Sequence, residues 1–97
     1  NVPYVAGRAR YNENARGQII GEEDGFLKLL FDKQDMKLLG VHVIGESASE
    51  LVHVGLTAIL MGADADLFIH TCYNYPTLTE LYKYATYDAL GQRAKEM

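Results

Sequence analysis

Two apolar runs separated by only four residues constrain this chain most. Phe26–Asp32 reads Phe-Leu-Lys-Leu-Leu-Phe-Asp, and Lys37–Ile44 reads Lys-Leu-Leu-Gly-Val-His-Val-Ile. Each has strand length and β-type composition. The four-residue link, Lys33-Gln34-Asp35-Met36, is too short for a crossover, so the two strands must pair antiparallel. Apolar residues on both faces of Phe26–Asp32 place that strand at the centre of a sheet. A third strand is read at Val2–Tyr11, with Pro3 near its start, where a missing N–H is tolerated.

Helical spacing takes over downstream. A helix is expected over Ser47–Met61, ended by Gly62 in a C-cap position. Its apolar residues form two overlapping stripes, Ala48–Val52–Leu56–Ile59 and Leu51–Gly55–Ile59. Together they are broad enough to pack on the sheet and on something else. A short helix is read over Asp64–Ile69, with acidic residues at its positive end. The last helix runs from Thr77 to about Ala94, with Leu78, Leu81, Tyr82, Ala85 and Ala89 inward. Between strands one and two, Asn12–Gln18 reads as a loop or single helical turn and Ile19-Ile20-Gly21 as a short extended piece. Glu22–Gly25 reads as a turn. Strands followed by helices make the fold class α+β, an antiparallel β-sheet with helices packed on it.

Composition narrows the function classes. The 97 residues suit one small domain, and the net charge of −4 offers no footprint for nucleic acid or an anionic membrane. No apolar run approaches the ~20 residues of a membrane span. One cysteine, Cys72, excludes an internal disulfide and fits a reducing, cytoplasmic setting. Beside tyrosines it reads as a small packed residue. His42, His53 and His70 have no ligand spacing between them, so no metal site is expected. Glu50 and His53 read as a local helix-face pair. There is no glycine-rich phosphate loop. The chain begins at Asn1 rather than Met, and residues 1–97 are read as a single dimerisation or interface domain, a fragment of a longer protein.

The stretch Tyr73-Asn74-Tyr75-Pro76-Thr77-Leu78-Thr79-Glu80 stands out. Pro76 pushes Tyr75 into extended backbone. Thr77 and Glu80 have capping-box spacing, which makes Glu80 a structural cap. Five of the seven tyrosines fall between Tyr73 and Tyr87. Tyrosine offers apolar area with a polar tip, so this region reads as an interface. From the residues alone, the chain is an α+β domain that self-associates and presents an aromatic knuckle.

Residues 39–55, from Leu39-Gly40-Val41-His42 through Gly45-Glu46-Ser47 to Gly55, followed by 73–80, resemble the C-terminal dimerisation domain of the flavin-dependent pyridine nucleotide–disulfide oxidoreductases. Val2-Pro3-Tyr4, Gly7-Arg8-Ala9 and the segment 15–21 point the same way, so the resemblance covers essentially the whole chain. It implies a homodimer, with FAD and NAD(P) domains lying N-terminal to this one. In disulfide-reducing members the residue before the proline is a histidine. It serves as acid/base towards the partner's dithiol and is oriented by a glutamate five residues on. Here those positions hold Tyr75 and Glu80. A tyrosine, with a reference pKa of about 10, cannot replace imidazole near neutral pH. That departure, with Asn74, resembles the transhydrogenase branch, which moves hydride between NADPH and NAD⁺ through flavin and manages no thiolate. The resemblance therefore implies no catalytic residue in this domain. It implies that Tyr75 and Pro76 contact the partner subunit's flavin, that Glu80 acts as a cap, and that the domain alone is inactive. Two alternatives remain: a dihydrolipoamide dehydrogenase-like disulfide reductase lacking its base, and a free-standing dimerisation module.

Overall fold

A computed structural model describes residues 2–13, 15–20, 25–45, 47–71 and 78–96. The α+β class holds. Strands β1 (Tyr4–Arg10), β2 (Phe26–Asp32) and β3 (Leu38–Ile44) form one antiparallel sheet in the order β1-β2-β3. Helices α1 (Ala15–Ile20), α2 (Ala48–Leu60), α3 (Ala65–His70) and α4 (Leu81–Lys95), with 3₁₀ turns at Tyr11–Glu13 and Leu78–Glu80, complete the described elements.

β2 is central, as its two-faced apolar pattern requires. Its odd-numbered residues Leu27, Leu29 and Phe31 are fully buried. They stand beside Val5, Gly7 and Ala9 of β1 and Leu38, Val41 and Val43 of β3. α4 covers this face over β1 and β2, and α2 covers it over β3. Transfer of each such leucine or phenylalanine from water contributes about 1.5–3 kcal/mol, so this layer is the main source of stability.

The β2–β3 turn is built from carboxylates bonding to the backbone. Asp32 accepts the Gln34 N–H at 2.8 Å and Asp35 accepts the Lys37 N–H at 3.0 Å. Met36 takes the left-handed conformation with φ 59°. The pairing slips between Leu30 and Phe31, leaving Leu39 without an opposite residue. Such a bulge re-aims a side chain, and Leu39 is exposed.

α2 ends where Gly62 was expected to stop it. Gly62 has φ +68°, its N–H bonds to Ile59 O at 3.0 Å, and the Ala63 N–H bonds to Ala58 O at 2.9 Å. That pair of bonds is a Schellman closure. The face α2 buries differs from the first stripe read from sequence. Leu51, Gly55 and Ala58 are buried, whereas Leu56 is 50% exposed. The reason is Gly55: a Cβ there would fall on the Val41 side chain. The helix settles onto β3 along its smallest residue, which carries little weight in a hydropathy pattern.

Two further readings differ. Ile19 and Ile20 belong to α1 rather than an extended piece. Gly17 lets that helix sit against the backbone of Tyr11, which is itself fully buried. The last helix begins as a tight 3₁₀ turn over Leu78–Glu80 and becomes α-helical at Leu81. The expected Glu22–Gly25 turn lies outside the described residues except for Gly25.

Candidate functional site

Of the stretch that the sequence singles out, Tyr73, Asn74, Tyr75, Pro76 and Thr77 lie outside the described residues, as does the neighbouring Cys72. The two flanks of these residues are placed. On one side α3 starts at Asp64, whose side chain accepts the Asp66 N–H at 3.1 Å. It stops at Thr71, which turns extended while its N–H still bonds to Leu67 O at 3.2 Å. On the other side Leu78 is buried in the core and leads into α4.

α4 is held firmly. Leu81, Tyr82, Ala85 and Ala89 are fully buried, as their spacing requires. Phe68 of α3 stacks on Tyr82 with ring centroids 5.2 Å apart and meets Phe31 edge-on at 6.4 Å. The Tyr82 hydroxyl accepts the Gly55 N–H at 3.0 Å and donates to Leu51 O. The Thr86 hydroxyl, also fully buried, bonds back to Tyr82 O at 2.8 Å. α2, α3 and α4 thus form one assembly.

The bond expected from Glu80 back to the Thr77 N–H falls on a partner outside the described residues. The Glu80 Oε1 is buried and has no hydrogen-bond partner. Among the described residues no capping bond from this side chain is present, and Thr77, the other half of the expected box, lies outside them. An unsatisfied buried acceptor costs about 1–3 kcal/mol.

The three histidines sit on three separate elements: His42 on β3, His53 on α2 and His70 on α3. Among the described residues no group of three or more His, Cys, Asp or Glu side chains converges. Glu50 and His53 are both exposed and form no ion pair; the ion pair among the described residues joins Lys33 to Glu96.

The most developed surface feature is apolar. α2 and α3 bound an open cleft of about 740 Å³, running from His53 past Thr57 and Met61 to Leu67 and Thr71. Its rim continues onto the outer side of α2, where Leu60 is 78% and Met61 79% exposed. Single exposed apolar residues are ordinary, whereas a contiguous band marks an interaction site. Tyr84 and Tyr87 are exposed on α4, in keeping with the tyrosine-rich interface read from sequence, whereas Tyr82 serves the core. The sequence signal for the α2 band was an apolar face too broad for one neighbour. Leu56, on the first of the two stripes, is 50% exposed. Among the described residues no helix is long and apolar enough to cross a membrane.

Comparison with known proteins fits this architecture. The family model of the pyridine nucleotide-disulphide oxidoreductase dimerisation domain matches residues 1–86. The chain is 46% identical over 92 residues to a soluble pyridine nucleotide transhydrogenase of Mycobacterium bovis BCG, covering 95% of this chain and 20% of that protein. It is 43% identical over 94 residues to its namesake in Pseudomonas savastanoi pv. phaseolicola, with 94% and 20% covered. The chain therefore spans about a fifth of the length of the curated relatives it matches. The crystal structure of LpdA from Mycobacterium tuberculosis superposes with a TM-score of 0.84 at 22% identity, over 89% of this chain and 19% of that one. By the match over 1–86 and the shared fold, this chain belongs to the pyridine nucleotide-disulphide oxidoreductase dimerisation-domain family.

Proposed function

We propose that residues 1–97 are a single domain, the self-association module of a longer cytoplasmic flavoenzyme that moves hydride between NADPH and NAD⁺. The observation that carries this reading is the 43–46% identity to soluble pyridine nucleotide transhydrogenases along nearly the whole chain. The chemistry that FAD would supply, when bound to the parent enzyme, is hydride transfer between the two nicotinamides. The chain carries no glycine-rich phosphate loop, so FAD and the nucleotides are held by domains outside it. This chain's contribution is assembly and contact. The exposed apolar band of α2 with the α2–α3 cleft pairs two copies as a homodimer. Tyr75 and Pro76 then lie against the partner's flavin and exclude water, with no proton to manage.

One observation favours a second reading, a flavin disulfide reductase that has lost its base. Glu80 is retained with Oε1 unpartnered, as a carboxylate that once oriented an imidazole would be. Assaying the full-length parent separates the two. Hydride transfer from NADPH to a thio-NAD⁺ acceptor, unaffected by Tyr75→Phe and without turnover of dihydrolipoamide, is the expected result. Turnover of dihydrolipoamide with no transfer to thio-NAD⁺ overturns the proposal. The 97-residue chain alone should show neither activity.

A further inference from the structure

The second face of the sheet carries a charge pattern that self-association through α2 does not use. Strand register places Arg8 opposite Lys28 and Lys28 opposite His42, a basic row running straight across all three strands. With strands about 4.8 Å apart the row spans roughly 10 Å. It is flanked by Ala6–Leu30–Gly40 on one side and Arg10–Phe26–Ile44 on the other. Tyr4 is 59% and Ile44 58% exposed. α2 and α4 lie on the opposite face.

Charge is segregated here. Among the described strand residues of this face three are basic, Arg8, Arg10 and Lys28, and one is acidic, Asp32. The described strand residues of this face thus carry a net charge of +2, with His42 counted as neutral. Among the described residues no carboxylate forms an ion pair with Arg8, Arg10 or Lys28. Like charges directly opposite on neighbouring strands destabilise a sheet, so the row is an unfavourable arrangement until an acidic surface covers it. The β1 edge, by contrast, is already occupied. Asp88 accepts the Arg8 N–H at 2.8 Å and Glu13 accepts the Arg10 N–H at 2.9 Å. Those bonds block strand addition there and leave the face itself as the docking surface.

We propose that this face docks an acidic patch on the part of the parent chain outside residues 1–97. The proposal rests on the reading of this domain as one part of a longer enzyme. A second copy of the same face is the wrong occupant, because a two-fold contact sets basic row against basic row. A surface tethered in the same chain meets the face at millimolar effective concentration, and apolar flanks around a basic row suit a domain–domain contact.

Zero-length carbodiimide coupling of the full-length parent tests this, since it joins an amine to a carboxylate already in contact. Lys33 and Glu96 form the internal control. The expected product links the Lys28 peptide to an Asp or Glu peptide outside residues 1–97, and Lys28→Gln loses it. Coupling of Lys33 to Glu96 with none from Lys28 to a carboxylate outside the domain overturns the proposal. Hydride transfer measured on the same preparation keeps the two readings apart. An active transhydrogenase without the Lys28 link refutes the docking surface alone, and a linked but transfer-inactive parent refutes the activity alone.

Discussion

The Tyr82 hydroxyl of α4 accepts the backbone N–H of Gly55 in α2 at 3.0 Å, and the same oxygen donates to Leu51 O. Gly55 N–H and Leu51 C=O are the pair an α-helix joins directly. The hydroxyl is inserted between them, which ties one helix to the other through buried polar groups. Removing it in Tyr82→Phe leaves the two backbone groups free to close on each other. The cost should therefore be about 1 kcal/mol rather than that of two orphaned groups. Urea unfolding of the two proteins checks this, and a loss well above about 2 kcal/mol would mean the helix cannot close.

The two packing glycines should differ in severity. A Cβ at Gly7 would meet backbone, falling on Ala85 O and within 2.6 Å of Ala89 N of α4. A Cβ at Gly55 would meet the Val41 side chain and come within 3.2 Å of the Tyr82 hydroxyl. Side chains can turn aside, whereas a helix backbone must move bodily. Gly55→Ala should cost about 1–3 kcal/mol, and Gly7→Ala should exceed it. Thermal melts of both variants decide the order.

These contacts also show what was legible in the sequence. The hairpin was, because two apolar runs and a four-residue link admit only one pairing. The α4 core was, because Leu81, Tyr82, Ala85 and Ala89 follow a helical repeat and are all buried. The orientation of α2 was not, since it depends on how closely Gly55 approaches Val41, a fact of three-dimensional fit. The basic row was hidden for another reason. Arg8, Lys28 and His42 are scattered in sequence and align only once strand register is fixed. Glu80 reads as a cap because Thr77 stands three residues before it, but Thr77 lies outside the described residues.

Gly91 should be dispensable. It lies within α4, and a Cβ there meets nothing within 4 Å. Glycine in a helix interior costs about 0.5–1 kcal/mol relative to alanine through its larger loss of backbone freedom. Gly91→Ala should therefore stabilise the chain by roughly that amount, with the rise in melting temperature as the readout. No change, or a loss, would mean that Gly91 serves a contact outside this domain.

The outer side of α2 gives the sharpest test of assembly. Leu60 and Met61 are among the most exposed large apolar residues of the described chain, and Met61 lines the cleft that α2 shares with α3. If two copies pair there, each substitution is present twice in a closed dimer. Burying one leucine side chain contributes about 1.5–3 kcal/mol. Leu60→Asp both removes that burial and sets a carboxylate against an apolar surface. It should weaken dimerisation of the full-length parent by at least about a hundredfold, while the monomer keeps its fold because position 60 lies outside the core. Sedimentation velocity across a concentration series reads the first effect and circular dichroism the second. A parent that remains as tightly dimeric with Asp at position 60 would move the self-association surface away from α2, leaving the exposed Tyr84 and Tyr87 of α4 as the next surface to test.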